Sequence, residues 1–547
     1  MNYNENNTNK FVIGIDFGTD SCRALVVNTF SGEEIAFSTS FYKRWKEGLY
    51  CDSNKNQYRH HPKDYIQSFQ EAVCNVLAKL PANFQKNVVA IGIDATASTV
   101  AITNNEGTPL GLLPKHAENP NAMFLLWKDH TAIKEADEIN VLSHKWDVDY
   151  TSLSGGTYSL EWFWAKVLHI LRNDNTIYNE AYAAIELCDW IPALLTGILK
   201  PEEVKRSRCA AGHKCLWAEE WGGYPSNEFL STLDPQLAII KDHLSDKTYT
   251  NEKEVGTLSS EWAEKLGLST DVVISVGIVD AHAAAIGAGI KPGTMVKIVG
   301  TSTCDIVVIP KHILGNKKIL GISGQVDGSV IPDLIGIEAG QAAFGDVYAW
   351  FRDILGWVLD DADLTDENKH KIKQRLLENL TEKAESISTD DTSLVSLDWL
   401  NGRRTPFSDP TKKGAITGIT LSTTAPHIYK SLVESTAFGS KAIFEHYKNE
   451  GLNIVEIVCV GGIPQKSPYI MQTLSNVLGV PIMVSETKQA GALGAAMCAA
   501  TAAGLFSKLE KAQSKMGSGI LRTYYPNEDT HMRYNKLYQE YIRLGSI

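Results

Sequence analysis

The sequence predicts an α/β protein made of two related halves with a ligand cleft between them. Three observations carry this expectation. The chain has 547 residues, well past the roughly 250 to 300 at which a single hydrophobic core stops growing. Two large domains follow, and the crevice between domains is the usual place for a ligand. Strand-like and helix-period segments alternate along the chain. Finally, one short design, apolar strand, Gly-Thr loop, apolar strand, occurs twice, at Gly18-Thr19-Asp20-Ser21-Cys22 and at Gly300-Thr301-Ser302-Thr303-Cys304, as expected if one domain plan was used twice.

Taken in order, Phe11 to Asp16 and Arg23 to Asn28 read as strands joined by the first loop. Tyr65 to Leu80 has helical periodicity, Val88 to Ile93 reads as a strand, and Leu160 to Leu171 as a helix. Val272 to Gly277 is an apolar strand ending at Ile278-Val279-Asp280, and the Ala- and Gly-rich Ala281 to Gly289 suits a close-packed helix. The boundary is expected between Gly289 and Gly293, giving domains 1–290 and 291–547. Met295 to Val299 and Asp305 to Ile309 repeat the opening pair. Val455 to Val460 leads as a strand into Gly461-Gly462, followed by a helix over Ser467 to Leu478. Ala490 to Phe506 offers too little apolar surface for a membrane span and reads as another close-packed helix.

Composition narrows the partners. A formal net charge of −12 argues against nucleic acid, whose partners carry basic patches. The nine cysteines are odd in number, scattered and without a C-x-x-C pair, so they read as reduced thiols of a cytoplasmic protein rather than as disulfides or a zinc site. Met1 to Lys10 is Asn-rich, unlike a signal peptide, and reads as a frayed tail.

Glycine after a strand lets backbone N–H groups approach phosphate oxygens, and neighbouring hydroxyls add donors; equally, Gly18 and Gly300 can serve ordinary turns. Asp16, at the end of a strand beside the first loop, is placed either to hold Mg²⁺ or to cap the turn. Asp280, between strand and helix, is placed either to accept a proton from an attacking hydroxyl or to act as an N-cap. Gly461 and Gly462 open either a flat surface for adenine or a simple turn.

The residues together resemble the FGGY family of sugar kinases. The family pattern stands here as Gly14-Ile15-Asp16-Phe17-Gly18-Thr19, Gly300-Thr301-Ser302, Gly461-Gly462 with Lys466-Ser467, and Gln489-Ala490-Gly491-Ala492-Leu493-Gly494-Ala495-Ala496. Longer blocks resemble the ketopentose branch: Asn56 to Pro62, Glu118 to Phe124, Cys209 to Lys214, Gly300 to Asp305 and Asn401-Gly402-Arg403-Arg404-Thr405-Pro406.

The resemblance implies two actin-like (ribonuclease-H-like) ATPase domains with a cleft between them, sugar held mainly by the first and ATP mainly by the second. It implies Asp280 as catalytic base, with Asp16 and Asp280 near Mg²⁺. Ala97, Lys214, Asp280 and Glu338 become contacts for a small ketose, and Gly18, Thr19, Asp20, Ser21, Gly300, Thr301, Gly345, Gly461, Gly462 and Lys466 lie along ATP. L-ribulose is the implied acceptor, phosphorylated at its C5 hydroxyl in arabinose breakdown. D-ribulose, xylulose or glycerol as acceptor, and an actin-like ATPase switch, are the alternatives. A homodimer is compatible with the sequence; a membrane partner is not expected.

Two departures from the family stand out. Asp20 replaces a hydroxyl residue and would repel phosphate unless Mg²⁺ or Arg23 screens it. Ser475-Asn476 replace an Ala-Asp pair on the helix after Gly462.

Overall fold

The protein was analysed as a computed structural model that describes residues 10–81, 84–388 and 394–546. Except for Lys10, the tail expected to fray lies outside the described residues.

Two seven-stranded sheets repeat one plan. In the first, β1 (Phe11–Phe17) pairs antiparallel with β2 (Ser21–Asn28), which pairs with β3 (Glu34–Phe41), while β4 (Val88–Ala95) runs parallel on the other side of β1. The strands β5 (Glu254–Thr257), β6 (Val273–Ser275) and β7 (Ile278–Val279) complete it beyond β4. In the second, β8 (Thr294–Val299) pairs antiparallel with β9 (Thr303–Pro310). Outward from β9 lie β11 (Leu334–Ala339) and β10 (Gly324–Asp327). On the other side of β8, β12 (Glu456–Val460) runs parallel, followed by β13 (Ile482–Ser485) and β14 (Ile520–Tyr524). The turns also correspond: Gly18 N–H donates to the Ser21 carbonyl and Gly300 N–H to the Ser302 carbonyl, each at 3.0 Å. The repeat expected from the two loops is therefore a repeat of strand order and direction.

The helices are α1 (Pro62–Ala78), α2 (Phe163–Asn173), α3 (Arg208–Lys214), α4 (Asp280–Gly287), α5 (Gly345–Leu355), α6 (Ala425–Asn449), α7 (Pro468–Leu478) and α8 (Ala490–Ala502). Pro62 opens α1, where its missing N–H does no harm, and the His61 ring accepts from Lys63 N–H at 3.0 Å. α2 begins later than its periodicity suggests because Trp162 N–H turns back to the Ser159 carbonyl, which leaves Glu161 off the helix. The apolar run at 272–279 divides into β6 and β7 around Gly277, which is pressed against the Cys188 carbonyl. α8 stops at Ala502, short of Phe506, as Gly504 turns the chain at φ +72°.

Helix α8 interlocks the halves. It comes late in the chain, yet it packs on β1, β4 and α4 within the first sheet's core. The expected close packing is visible atom by atom. A Cβ at Gly14 would lie 1.7 Å from the Ala492 carbonyl oxygen, and one at Gly494 would lie 1.9 Å from that of Ala283. A second core fills the region around the other sheet, and a third, centred on Trp164, lies within residues 100–244. Among the described residues no helix is long and apolar enough to cross a membrane.

Candidate active site

Two adjoining cavities open between the sheets, of about 780 and 270 Å³. Thr19, Trp127, Asp280 and Thr301 line both, so they form the boundary between them. Of the expected residues, Asp16, Gly18, Asp20, Gly461 and Gly462 line only the larger cavity. Ala97, Lys214, Gly300 and Glu338 line only the smaller one.

Four residues expected along the nucleotide do not line the larger cavity: Gly300 lines only the smaller one, and Ser21, Gly345 and Lys466 line neither. Ser21 is buried and its hydroxyl donates to the Asp20 carboxylate at 2.8 Å. Gly345 supports the second loop from the rear, donating its N–H to the Gly300 carbonyl at 3.1 Å. Lys466 is exposed at the end of the short helix Gly462–Lys466 and lines neither cavity.

Helix starts and carboxylates shape the larger cavity. The first turn of α8, at Ala490 and Gly491, lines it, and a helix N-terminus favours anions. Arg23 lies 3.0 Å from Asp16 and 3.7 Å from Asp20, which supplies the screening that Asp20 was expected to need. Asp280 is the first residue of α4, with Val279 as N-cap, and its carboxylate accepts the Ala281 N–H at 2.7 Å. The alternative role of Asp280 as an N-cap is therefore not what the structure shows. Burial and then the nearby Asp16 charge push Asp280 up to about 7.

The smaller cavity holds a pair joining the two halves. The Lys214 amine, at the end of α3, donates to both carboxylate oxygens of Glu338 on β11, at 2.9 and 3.1 Å. Burial is the largest single influence and works against both charges, but the attractions around them, the partner's first, together outweigh it, so Lys214 is held above and Glu338 below its ordinary value. The rings of His213 and His282 approach the same carboxylate, at 3.6 and 3.5 Å, and burial keeps both well below the usual histidine range. Glu338 is thus no surface pair.

Several functional side chains escaped the sequence reading. Asp94 lies beside Asp16 in parallel register; it is fully buried, both its carboxylate oxygens lack a hydrogen-bond partner among the described residues, and burial and then Asp16 raise it well above the carboxylate range. The signal was present: Gly14-Ile15-Asp16 recurs as Gly92-Ile93-Asp94. Trp127 donates its indole N–H to the Thr19 hydroxyl at 3.1 Å across the cavity boundary. Glu161 and Arg404 face each other in the smaller cavity.

Comparison with known proteins gives the family and the fold. The models of the FGGY family of carbohydrate kinases match residues 11–287 with the N-terminal domain and 295–503 with the C-terminal domain. The chain belongs to that family and is an ATP-dependent sugar kinase, with ATP and a sugar as its substrates. A ribulokinase of Vibrio parahaemolyticus is 44% identical, covering 99% of this chain and 96% of its own. One of Halalkalibacterium halodurans is 35% identical over 98% and 94%. In fold, the chain is similar to a xylulose kinase of Rhodospirillum rubrum, with TM-score 0.77, 20% identity and 98% of each chain covered. It is also similar to a Plasmodium falciparum glycerol kinase with ADP, with TM-score 0.75, 17% identity and 98% of each chain covered. The two actin-like domains expected from the sequence are those of this fold.

Proposed function

We propose that the protein is a ribulokinase, transferring the γ-phosphoryl group of ATP to the C5 hydroxyl of L-ribulose. The observation that carries this reading is the position of Asp280, with Thr19 and Thr301 of the two loops, on the boundary between two cavities, the smaller of which holds the Lys214–Glu338 pair. Nearly full-length similarity to ribulokinases supports the choice of sugar.

The larger cavity takes ATP, with Gly18, Thr19 and Thr301 at its phosphate end and Gly461-Gly462 toward the adenine, while Gly300 lies on the sugar side of Thr301. Ala97, Lys214 and Glu338 hold the ketose. Lys214 donates to sugar oxygens and Glu338 accepts from hydroxyls. Asp280 accepts the proton of the attacking hydroxyl as its oxygen bonds to the γ-phosphorus and the bond to the bridging oxygen of ADP breaks. A carboxylate titrating near 7 is matched to that task.

Mg²⁺ fits the donors present. Asp16 and Asp280 provide hard oxygen ligands beside the loops, and the buried Asp94 carboxyl, without a hydrogen-bond partner among the described residues, adds a third acidic group beside Asp16. When bound, the ion neutralises charge on the phosphate oxygens. With water excluded between the halves, ATP is protected from hydrolysis.

The test is ADP release from Mg-ATP by purified protein, comparing L-ribulose with D-ribulose, L-xylulose, D-xylulose, glycerol and no sugar. Fast turnover that prefers L-ribulose is expected. Preference for another sugar would change the substrate, and sugar-independent hydrolysis would contradict the kinase reading.

A further inference from the structure

The block Asn401 to Pro406 reaches the smaller cavity from the second half. Thr405 clamps the loop to Gly340, two residues beyond Glu338: the Gly340 N–H donates to the Thr405 hydroxyl at 2.8 Å, and that hydroxyl donates to the Gly340 carbonyl at 2.6 Å. Arg403 stays with its own loop, donating to the Phe407 carbonyl at 3.0 Å. Arg404 alone reaches into the smaller cavity, opposite Glu161 of the first half.

The pairing uses little of the guanidinium. Only Nη2 is engaged, at 3.2 and 3.3 Å from the two Glu161 oxygens, while Nε and Nη1 have no hydrogen-bond partner among the described residues. Glu161 is fixed from the other side by His130 at 2.9 Å. Arg404 and Glu161 line the smaller cavity and not the larger, whereas Asp280 lines both. They therefore lie on the sugar side of the boundary that Asp280 occupies.

We infer that Arg404, held by Glu161, is a specificity-determining residue that donates to an oxygen of the ketose other than the hydroxyl that is phosphorylated. A planar donor fork with open N–H groups suits a carbonyl or hydroxyl oxygen. Because Arg404 and Glu161 come from opposite halves, sugar bound against them also holds the halves together. A site built to donate to one substrate oxygen rejects the analogue that lacks it.

This inference rests on the smaller cavity being the ketose site. The experiment measures turnover by wild type, Arg404→Gln and Arg404→Lys, using whichever ketose the wild type prefers and its singly deoxygenated analogues. Arg404→Gln is expected to raise the ketose KM by about tenfold or more, as for loss of a charged hydrogen bond, with the ATP KM unchanged. It should also lose the wild-type discrimination against one deoxy analogue while keeping it against the others. Should the Gln variant not fold, Arg404→Lys, which keeps the charge opposite Glu161 but not the fork, gives the same readout. Equal losses on every analogue, or no change in ketose KM, would overturn the inference. If the preferred sugar is not L-ribulose, the proposed substrate fails and Arg404 is still judged on its own data.

Discussion

The Lys214 amine donates to both carboxylate oxygens of Glu338, so a helix end from one half and a strand from the other meet in the wall of the smaller cavity. Its side chains are only 5% and 12% exposed, so each charge depends on the other.

Removing one member of this pair strands its partner, a loss of about 3 to 5 kcal/mol for buried pairs. Lys214→Met and Glu338→Gln are each expected to lower the melting temperature. The double variant should recover much of that loss without regaining sugar-dependent turnover. Calorimetry and ADP release on the three variants check this; equal melting temperatures in all would show that the pair is not coupled.

Asp280 sets an expected pH dependence. Its folded value near 7 is raised from the ordinary 3.8, so the carboxyl is protonated, and useless as a base, below that pH. Sugar-dependent kcat/KM should fall about tenfold per pH unit below ~7 and level off above it. Stability without ligands runs the other way. Between about 4 and 7 the unfolded chain has released this proton and the folded chain has not, so Asp280 subtracts stability as pH rises. Asp280→Asn should therefore melt higher than wild type at pH 8.

Helix packing supplies a third expectation. At Gly494 the space for a Cβ is occupied by the Ala283 backbone, which cannot swing away as a side chain could. Gly494→Ala should lose about 1 to 3 kcal/mol or more through overpacking, measured by urea unfolding, and should lower turnover because α4 carries Asp280.

Local chemistry made much of this legible in the sequence. The two Gly-Thr loops gave the repeat because a turn after an apolar strand is encoded within a few residues. The place of Asp280 between strand and helix was legible, but position alone left it open as base or N-cap, and only the family resemblance implied the base. Pairings across the halves were not, since Glu161 and Arg404 are 243 residues apart and nothing local records that they meet. Asp94 lay within reach through the repeated Gly-Ile-Asp, but only parallel register between β1 and β4 makes its carboxyl a neighbour of Asp16. Ser21, Gly345 and Lys466 were matched to positions along the nucleotide; the fold places them behind or beside the cavity walls, because which way a loop residue turns depends on its partners, as Ser21 turns onto Asp20.

The most direct test is single-turnover phosphoryl transfer by Asp280→Asn with Mg-ATP and L-ribulose, alongside ATP binding by calorimetry. With Asp280 as the base between the cavities, transfer should fall by about 10²- to 10⁴-fold while ATP affinity stays close to that of wild type. Transfer at a rate near wild type would contradict the assignment of Asp280 and, with it, the mechanism proposed for the site.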